Sequence, residues 1–408
     1  SKTMQKQIER YKKEDFTHSD LIESGFMMFN LKSSGVSEVL GRWWEEIDSG
    51  SKRDQLRFNY ALGKKEYFPV MSEPFSIRNH PAFALLPHGA EGDRELIKSL
   101  ETQNQNPYYS KSFIDVKEER VKAQQSRRID MLLCVHNALD DVKKCLESIE
   151  KNHNSPKHKL IIIDDGSEKE TQEYLESFVK DRDWCQLARS EVGRGYTKAA
   201  NHALSLSDGE MAVLLNSDTI VTSYWCEKLA DVLFSHKNIG IVGPLSNAAS
   251  HQSIPEHHSK NKQTAINDLP EGYTPEDMNQ FCEKNSSATL VPMVPLVHGF
   301  CFAIKRDVLN KIGTFDEESF PRGYGEENDY CFRATKAGYS MAVATNTYIF
   351  HSKSKSYDSA KRIGLMKEGS RQLVNKYGRE RITRSVLSMQ DNLILENMRK
   401  EAEKLYLS

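Results

Sequence analysis

Long apolar runs are missing from this sequence, and its cysteines are scattered. No stretch approaches the ~20 apolar residues that a helix needs to cross a bilayer. The first residues are polar and do not have the pattern of a secretory signal. The 7 cysteines include no Cys-x-x-Cys pair, the spacing typical of zinc ribbons and redox motifs. We therefore expect a chain without a transmembrane segment, located in the reducing cytoplasm.

An excess of one charge is also absent. Lysine and arginine total 56, against 58 aspartate and glutamate residues, so the formal net charge is only -2. Such a chain has no overall field that attracts nucleic acid, and we expect no nucleic-acid partner. Gly193-Arg194-Gly195 lacks the third glycine of a dinucleotide fingerprint, and no Walker-type loop occurs. The pair His257-His258 has no cysteine or carboxylate at metal-binding spacing, which predicts a solvated loop.

From residue 127 onward, short apolar runs alternate with segments of helical periodicity. The runs lie at 131–135, 160–163, 211–215 and 239–242. This alternation predicts an α/β fold with a parallel sheet. Beyond residue 351 the strand signals end, and residues 357–376 and 380–407 predict amphipathic helices that pack on the sheet or on a partner. Because 408 residues exceed a typical single domain, we predict boundaries at 1–126, 127–352 and 353–408.

The first polar site follows the run at 160–163, where Asp164 and Asp165 precede a turn at Gly166. Ligands of open α/β sheets bind at such carboxyl ends of strands. A carboxylate there accepts hydrogen bonds from a nucleobase or a ribose, and the glycine gives the turn its backbone freedom. The alternative is that both aspartates only cap the following helix.

A second strand end carries Asn216, Ser217 and Asp218, directly after the run at 211–215. Oxygen ligands at such a site bind a hard divalent cation, which then bridges to a diphosphate. Because an amide is a weaker ligand than a carboxylate, we assign the direct metal contact to Asp218. The alternative is a solvated strand end.

A third site concentrates three carboxylates, Glu326, Glu327 and Asp329, at the start of a predicted helix after Gly323 and Gly325. Such charges come together only if a cation, an arginine or a proton transfer compensates them. They are candidate general bases, since the N-terminal helix dipole keeps a carboxylate ionised. The alternative is an acidic helix start on the surface.

Two histidines near these motifs have less specific surroundings. His351 closes a strand-like segment at 347–350, and His298 precedes Gly299-Phe300. A single histidine is more often a hydrogen-bonded structural residue than a metal ligand. The local sequence leaves both roles open.

Together and in this order, the motifs over residues 127–352 resemble the family-2 glycosyltransferases of GT-A fold. The similar segments are 134–137 at the first strand end, 164–167 at the nucleotide-binding turn, 195–201 at a glycine-aromatic helix start, 216–218 at the Asp-x-Asp metal motif, 313–317 at the acceptor loop and 325–329 at the base motif. The resemblance implies a mostly parallel sheet flanked by helices, with an N-terminal accessory region and C-terminal helices.

The resemblance also implies roles for single residues. Glu327 occupies the position of the catalytic base, with Glu326 as runner-up, and Asp329 orients the acceptor or a neighbouring basic group. His351 matches a late histidine that completes the metal shell with Asp218. The implied donor-binding residues are Val135, Asn137, Asp164, Asp165, Lys198, Asn216 and Ser217. The implied acceptor-binding residues are His298, Gly299 and Asp316.

This chain departs from the family pattern at two positions. Asn216 replaces the first aspartate of the metal motif, and Glu327 replaces an aspartate as base, which lengthens its reach by one methylene. The segment 243–250 is similar to a loop of polysaccharide-building members, some of which use dTDP-rhamnose. Within 1–126, residues 23–25 and 43–56 resemble the closing part of a second glycosyltransferase-like domain followed by a linker; the alternative is an accessory helical region.

The activity that the resemblance implies is that of an inverting glycosyltransferase of hexosyl or rhamnosyl type, with Mn²⁺ or Mg²⁺ as its cofactor. A nucleoside-diphosphate sugar is the expected donor. A hydroxyl of a glycan or lipid-linked glycan is the expected acceptor, in polysaccharide or glycan synthesis. Through such an acceptor the protein can lie at the periphery of a membrane, beside other glycosyltransferase domains.

Two other functions remain open at the level of sequence. One is a catalytically silent module that binds nucleotide sugars. The other is a sugar-phosphate nucleotidyltransferase, which needs a glycine-rich basic loop near its first strand; residues 134–137 lack that composition.

Overall fold

The computed structural model describes residues 9–10, 40–45, 112–258, 264–288, 290–353, 359–390 and 392–407. The resemblance of the N-terminal region to a second domain rests on residues 23–25 and 43–56, of which only 43–45 belong to the described residues.

Strands and helices alternate along the chain. The strands are β1 (Ile129–Val135), β2 (His158–Asp165), β3 (Cys185–Ser190), β4 (Met211–Asn216), β5 (Thr219–Ile220), β6 (Ile239–Leu245), β7 (Met293–Val294), β8 (Cys301–Lys305), β9 (Ser340–Tyr348) and β10 (Phe350–His351). The helices are α1 (Lys117–Gln124), α2 (Leu139–Lys151), α3 (Lys169–Val179), α4 (Tyr196–Leu206), α5 (Trp225–Ser235), α6 (Pro275–Asn285), α7 (Arg306–Ile312), α8 (Glu326–Lys336), α9 (Ser359–Tyr377), α10 (Arg379–Gln390) and α11 (Leu393–Glu403). Short 3-10 turns lie at Phe113–Asp115, Ser250–Gln252 and Lys404–Tyr406.

Most of the strands form one mixed sheet, in the order β3-β2-β1-β4-β8-β6-β9-β7. Strand β1 is parallel to β2 and to β4, β2 is parallel to β3, and β6 is parallel to β9. Only β8 and β7 run against their neighbours. The expected α/β class with a mostly parallel sheet is confirmed.

The sheet forms a middle layer, with helices on both faces. Strands β1 and β2 are nearly continuous apolar runs because neither of their faces meets water. On one face, α2 buries Val142, Cys145, Leu146 and Ile149, whose spacing is that of one helix face, together with side chains of α3 and α5. On the opposite face pack α4, α6, α7 and α8.

The C-terminal helices also pack on this second face. Met389 of α10 and Leu395 and Met398 of α11 are buried in the same cluster as side chains of the sheet. The sequence allowed these helices to pack either on the sheet or on a partner protein. The structure places them on the sheet. Within the described ranges, no helix combines the length and the apolar character of a membrane span.

Candidate active site

The site lies where three parallel strands end side by side. The register pairs Val135 of β1 with Asp164 of β2, and Cys134 of β1 with Asn216 of β4. The polar residues that follow these strands therefore share one edge of the sheet, as expected for a ligand site of an α/β fold.

A small ribbon brings Asp218 and His351 together at this edge. After β4 the chain turns at Asp218 into β5, which pairs antiparallel with β10, so that His351 lies opposite Thr219. The backbone N–H of Ser352 donates to the Asp218 carbonyl at 2.9 Å. As a result, His351 Nε2 lies 3.2 Å from Asp218 Oδ1.

The imidazole of His351 is held in a defined orientation. Its Nδ1 lies 3.1 Å from the carbonyl oxygen of Ala248. A carbonyl only accepts, so Nδ1 carries a proton, and Nε2 is the ring nitrogen that faces Asp218. Asn247 accepts from the backbone N–H of His351 at 2.8 Å, and the Phe300 ring stacks on the imidazole with centroids 5.2 Å apart.

The pair suits a divalent cation. Burial acts to raise the pKa of Asp218, but the hydrogen bond and the charge of His351 outweigh it, so the pKa is lowered and the carboxylate is ionised. A carboxylate oxygen therefore faces an imidazole nitrogen whose other ring nitrogen is fixed by a carbonyl. Metal-binding histidines have this arrangement. Asn216 and Ser217 precede Asp218, and the backbone N–H of Asn216 donates to the Phe300 carbonyl at 2.8 Å.

Glu326 and Glu327 open helix α8. Gly325 precedes them with φ 134°, a conformation that L side chains rarely adopt, and a Cβ atom there would lie 2.8 Å from the Phe320 ring. The Gly325 backbone N–H donates to Glu327 Oε2 at 3.3 Å. Glu326 Oε2 is buried and has no hydrogen-bond partner among the described residues.

The two carboxyl groups differ in proton affinity. Burial raises the pKa of Glu326 well above its ordinary value, and the negative charge of Glu327 raises it further. Burial also raises the pKa of Glu327, but hydrogen bonds from the backbone and the charge of Lys353 oppose the effect. Glu326 therefore holds its proton more strongly, and Glu327 is the carboxylate that ionises first.

The segment 298–300 joins the metal pair to the acidic helix start. A Cβ atom on Gly299 would lie 3.5 Å from Glu327 Cβ, so Glu327 packs directly against this glycine. The His298 ring lies 6.4 Å from that of His351, centroid to centroid. The charge of Lys353 lowers the pKa of both Asp218 and Glu327. Carboxylates from distant parts of the sequence thus lie near one another, beside residues 298–300.

His298, within this segment, is half-buried and neutral. Burial lowers its pKa well below the ordinary value, and the nearby charges of Lys353 and His351 add to this. Its Nδ1 accepts the backbone N–H of Phe300 at 3.2 Å, so Nε2 carries the proton. Gln252 accepts the backbone N–H of His298 at 2.7 Å and fixes the segment. His298 can therefore donate one hydrogen bond from Nε2.

Asp164 and Asp165 both have protein partners. Asp164 forms an ion pair with Arg189 and accepts the backbone N–H of Ser167 at 2.9 Å. Asp165 accepts the backbone N–H groups of Arg194 and Gly195 at 2.8 to 3.0 Å. The two aspartates thereby hold the turn after β2 and the loop before α4. They do not cap α3, whose N-cap is Glu168 without a side-chain cap.

An open pocket of about 280 Å³ lies beside this loop. Its lining combines two arginines with one acidic and several uncharged or apolar side chains: Arg189, Ser190, Glu191, Val192, Arg194 and His202. The Arg194 guanidinium lies 4.0 Å from Asp165 and is 42% exposed. Neither arginine had a role predicted from the sequence, because Gly193-Arg194-Gly195 does not match a dinucleotide fingerprint.

The other expected donor residues surround the same edge. Val135 is buried in β1, and Lys198 is exposed on the first turn of α4. Asn137 has φ 58°, accepts the backbone N–H of Glu168 at 2.7 Å and donates its own N–H to Ser167 at 2.8 Å. It therefore joins the end of β1 to the turn after β2.

Asp329 and Asp316 belong to an ionic network with α9. Asp329 is fully buried, pairs with Arg333 at 2.8 Å, contacts Lys376 and accepts the Tyr377 hydroxyl at 2.6 Å. Asp316 pairs with Lys376 at 2.8 Å. Partial burial opposes ionisation of Asp316, but hydrogen bonds from Lys376 and Ser319 hold its pKa well below the usual range. Both aspartates thus fasten the 313–325 loop and α8 to α9.

Asn201 ties the same loop to α4. Its side chain donates to the Phe315 carbonyl at 3.0 Å and accepts the Phe315 backbone N–H at 2.9 Å. The sequence placed Asn201 at the end of the glycine-aromatic motif without giving it a role. Its role in the structure is to anchor the loop that leads to Glu326.

We expect Asn201→Ala to lower the free energy of unfolding by about 1–3 kcal/mol, because it leaves two partly buried backbone groups without partners. Chemical denaturation measures this change. Asn285→Ala is the matched control, since it removes one exposed hydrogen bond to Phe281 and should change stability by less than about 0.5 kcal/mol. Equal effects of the two substitutions would contradict the anchoring role.

Comparison with known proteins gives a consistent result. Residues 130–313 match the family described as Glycosyl transferase family 2. Glycosyltransferase AglE of Haloferax volcanii is 22% identical over 217 residues, which are 53% of this chain and 64% of the relative. The poly-beta-1,6-N-acetyl-D-glucosamine synthase of Staphylococcus epidermidis is 32% identical over 98 residues, 24% of this chain and 23% of the relative. The chain spans less than two thirds of the length of these curated relatives.

A solved structure is also similar. It is the mannosyltransferase PcManGT from Pyrobaculum calidifontis in complex with GDP-Man and Mn²⁺, with 15% identity and a TM-score of 0.46, covering 72% of this chain and 81% of the other. The family match coincides with β1 to α7, which include the three strand ends described above. Over residues 130–313 this chain is therefore similar in sequence to the glycosyltransferases of family 2.

Proposed function

We propose that this domain is an inverting glycosyltransferase that depends on a divalent cation and moves a sugar from a nucleoside-diphosphate sugar to a glycan hydroxyl. One observation carries the proposal. The Asp218 and His351 pair and the Glu327 side chain both lie beside residues 298–300, which connect them. Metal-assisted departure of a diphosphate and deprotonation of an acceptor require this combination of groups.

The donor is expected to lie across the three strand ends. Asp165 holds the backbone of the loop before α4, which presents Arg194 to the open pocket. Arginine binds phosphate and stacks on flat rings, so Arg194 suits either the diphosphate or the nucleobase. Lys198, exposed on the first turn of α4, adds a second positive charge. We assign donor binding to this edge, with Asn137, Asn216 and Ser217 around it.

Asp218 and His351 are the residues that would hold the cation, Mn²⁺ or Mg²⁺. When bound, a cation at this position neutralises the charge that develops on the departing diphosphate. The Phe300 ring and the carbonyl of Ala248 keep His351 oriented for this role. Asn216 stands where a second carboxylate would add charge, so the metal-binding groups carry a single negative charge.

Glu327 is the proposed base. It takes the proton from the acceptor hydroxyl as the new bond forms between that oxygen and the anomeric carbon. The bond from the anomeric carbon to the diphosphate oxygen breaks on the opposite face, which inverts the configuration. Glu326 remains protonated beside it, and the neutral His298 can donate a hydrogen bond to the acceptor. Asp316 and Asp329 act indirectly, because their network with Lys376 holds the helix that carries Glu327.

The acceptor is proposed to be a glycan or a lipid-linked glycan, and the transferred unit a hexose or rhamnose. One relative is named as a synthase of a glycan chain, which supports this class. The product then belongs to polysaccharide or glycan synthesis, which places the enzyme in the cytoplasm, peripheral to the membrane when its acceptor is lipid-linked. Other glycosyltransferase domains are the expected partners.

The pH profile should show an acid limb set by Glu327. Burial raises its pKa above the ordinary value, so kcat/KM should fall as the pH drops through a midpoint above about 4.3, the value of an unperturbed glutamate. The free energy of unfolding should instead fall as the pH rises through the same range. A raised pKa in the folded state means that ionisation of the pair costs folding free energy, so its stabilising contribution is lost as pH rises. Parallel measurements of kcat/KM and Tm against pH test both signs; an activity independent of pH across this limb would exclude Glu327 as base.

A nucleotide screen tests the proposed function. Thermal shifts are measured with UDP, GDP and dTDP, with and without Mn²⁺, on the natural protein and on Asp218→Asn. We expect one nucleotide to stabilise the natural protein only when Mn²⁺ is present, and the variant to lose that shift. The preferred nucleotide sugar should then release nucleoside diphosphate when an acceptor is added. Binding without release would indicate a silent module, and release of pyrophosphate from a nucleoside triphosphate would indicate a nucleotidyltransferase.

A further inference from the structure

Three histidines outside the cleft form a second cluster. His251, His257 and His258 each offer one ligand atom, and these atoms lie within 4.8 Å of one another. The ring centroids are 4.5 to 5.5 Å apart. The sequence predicted a solvated loop for His257-His258, and both residues do lie in a loop and are partly exposed. His251, from the preceding 3-10 turn, is buried against both rings, and His258 is only half-exposed.

Two ring nitrogens of this cluster lack partners. His251 Nδ1 and His258 Nδ1 are buried and form no hydrogen bond within the described part of the chain. Buried polar atoms nearly always bind protein, water or an ion. The Gln390 amide lies 3.5 Å from His258 Nε2, and its oxygen and nitrogen exchange places by a simple flip. With the oxygen in this place, Nε2 keeps the proton and Nδ1 presents a lone pair to the cluster.

The imidazoles of His251 and His257 are neutral and ready to act as ligands. Burial lowers the pKa of His251 to about 3, and the charges of His257, Arg399 and His258 add to the effect. Burial and the charges of Arg399 and His258 lower the pKa of His257 to about 4. No proton therefore competes for these nitrogens near neutral pH. Arg399 does not close the cluster with an ion pair, since its guanidinium donates to the carbonyls of His251 and Ser253.

The ligand set distinguishes this cluster from the catalytic pair. Three imidazoles without a carboxylate suit Zn²⁺ better than Mg²⁺ or Mn²⁺, which prefer oxygen ligands. Zinc binds imidazole nitrogen at about 2.0–2.1 Å and retains an open position when three protein ligands are present. The ring nitrogens now lie within 4.8 Å of one another, so zinc binding requires the side chains to rotate towards a common centre. We propose that His251, His257 and His258 bind one zinc ion at a site separate from Asp218 and His351.

The position of the site gives the ion a structural role. The 246–258 segment reaches the catalytic cleft at one end, where Asn247 and Ala248 hold His351. Gln252, next to His251, holds the backbone of His298. Near the histidines, the segment contacts α10 through Gln390 and α11 through Arg399. Zinc would therefore crosslink residues 251 and 257–258 of this segment next to the C-terminal helices. This crosslink would restrict the movement of His298 and His351.

Zinc loading of the purified chain tests the proposal. The protein is stripped with a chelator, loaded with ZnCl₂ in excess Mg²⁺, desalted and assayed for zinc by mass spectrometry. We expect about one zinc per chain in the natural protein and in Asp218→Asn. His257→Gln and His258→Gln should bind zinc at least about tenfold more weakly, since even indirect partners of a zinc site contribute that much. His153→Gln is the matched control, because His153 stacks on Trp184 and does not belong to the histidine cluster. This variant should bind zinc normally.

A second measurement does not depend on the histidine variants folding. X-ray absorption of zinc-loaded Asp218→Asn should show three imidazole nitrogens around the metal, and zinc should raise the Tm of this protein. Zinc that disappears with Asp218→Asn, normal affinity in both folded histidine variants, or a shell made mainly of oxygen would each overturn the proposal. The catalytic proposal is tested separately, by the nucleotide screen with Mn²⁺.

Discussion

Glu327→Gln is expected to reduce kcat/KM for sugar transfer by about 10²- to 10⁴-fold, the contribution typical of a general base. The amide keeps the size of the side chain and its packing against Gly299 but does not accept the acceptor's proton. Binding of nucleotide and metal should remain, because Asp218 and His351 are unchanged. Steady-state transfer with a saturating donor measures the loss, and the thermal shift with nucleotide and Mn²⁺ confirms that the donor site is intact.

Glu326→Gln is the control for this substitution. Glu326 holds its proton more strongly than Glu327, so a neutral amide resembles the form that is present in the active protein. We expect a change of less than about tenfold in kcat/KM, below the range of a general base. If Glu326→Gln were inactive while Glu327→Gln retained transfer, the base would be Glu326, and the assignment made from burial and charge would be wrong.

Asp218→Asn should cause the other large loss. Stabilisation of the departing diphosphate by a cation is worth several kcal/mol, and about 1.4 kcal/mol corresponds to a tenfold change, so a loss of roughly 10³-fold is expected. The substitution keeps the turn between β4 and β5 but removes the negative charge that faces His351 Nε2. Titration with Mn²⁺ in the presence of nucleotide should show weakened metal binding together with the loss of transfer.

Asp208→Asn provides a matched change elsewhere on the molecule. Asp208 is an exposed aspartate paired with Arg128, and its side chain is 71% exposed. Exposed pairs of this kind contribute little to stability, so activity and metal dependence should stay normal. Full activity of Asp218→Asn with unchanged Mn²⁺ dependence would move the metal site away from β5 and β10.

The sequence was sufficient to predict how the sheet presents its polar residues. Strands buried on both faces are continuous apolar runs, and β1, β2 and β4 therefore stand out between helical segments. Because parallel strands end at the same edge, Asp164 and Asp218 were expected to lie near each other. The pairing of β5 with β10, which brings His351 to Asp218, joins two-residue strands far apart in the chain and gives no periodic signal.

The partners of the acidic residues were not predictable from local patterns. Asp164 pairs with Arg189, 25 positions later, and Asp329 accepts from Tyr377, 48 positions later. Without these partners, each aspartate looks equally suited to bind a ligand. Only the folded chain shows that Asp329 is surrounded by donors of its own helix and of α9, whereas Glu326 has a buried oxygen without a partner among the described residues.

Crystals grown with Mn²⁺ and the nucleoside diphosphate chosen by the screen test the central claim most directly. The anomalous signal at the manganese absorption edge locates the ion independently of any assumption about which residues bind it. We predict one peak in contact with Asp218 and His351, bridging to the diphosphate, with the Glu327 carboxylate unligated and facing the donor across the cleft. A manganese peak on Glu326 and Glu327, or a nucleotide bound away from the ends of β1, β2 and β4, would contradict the proposed division between metal binding and proton transfer.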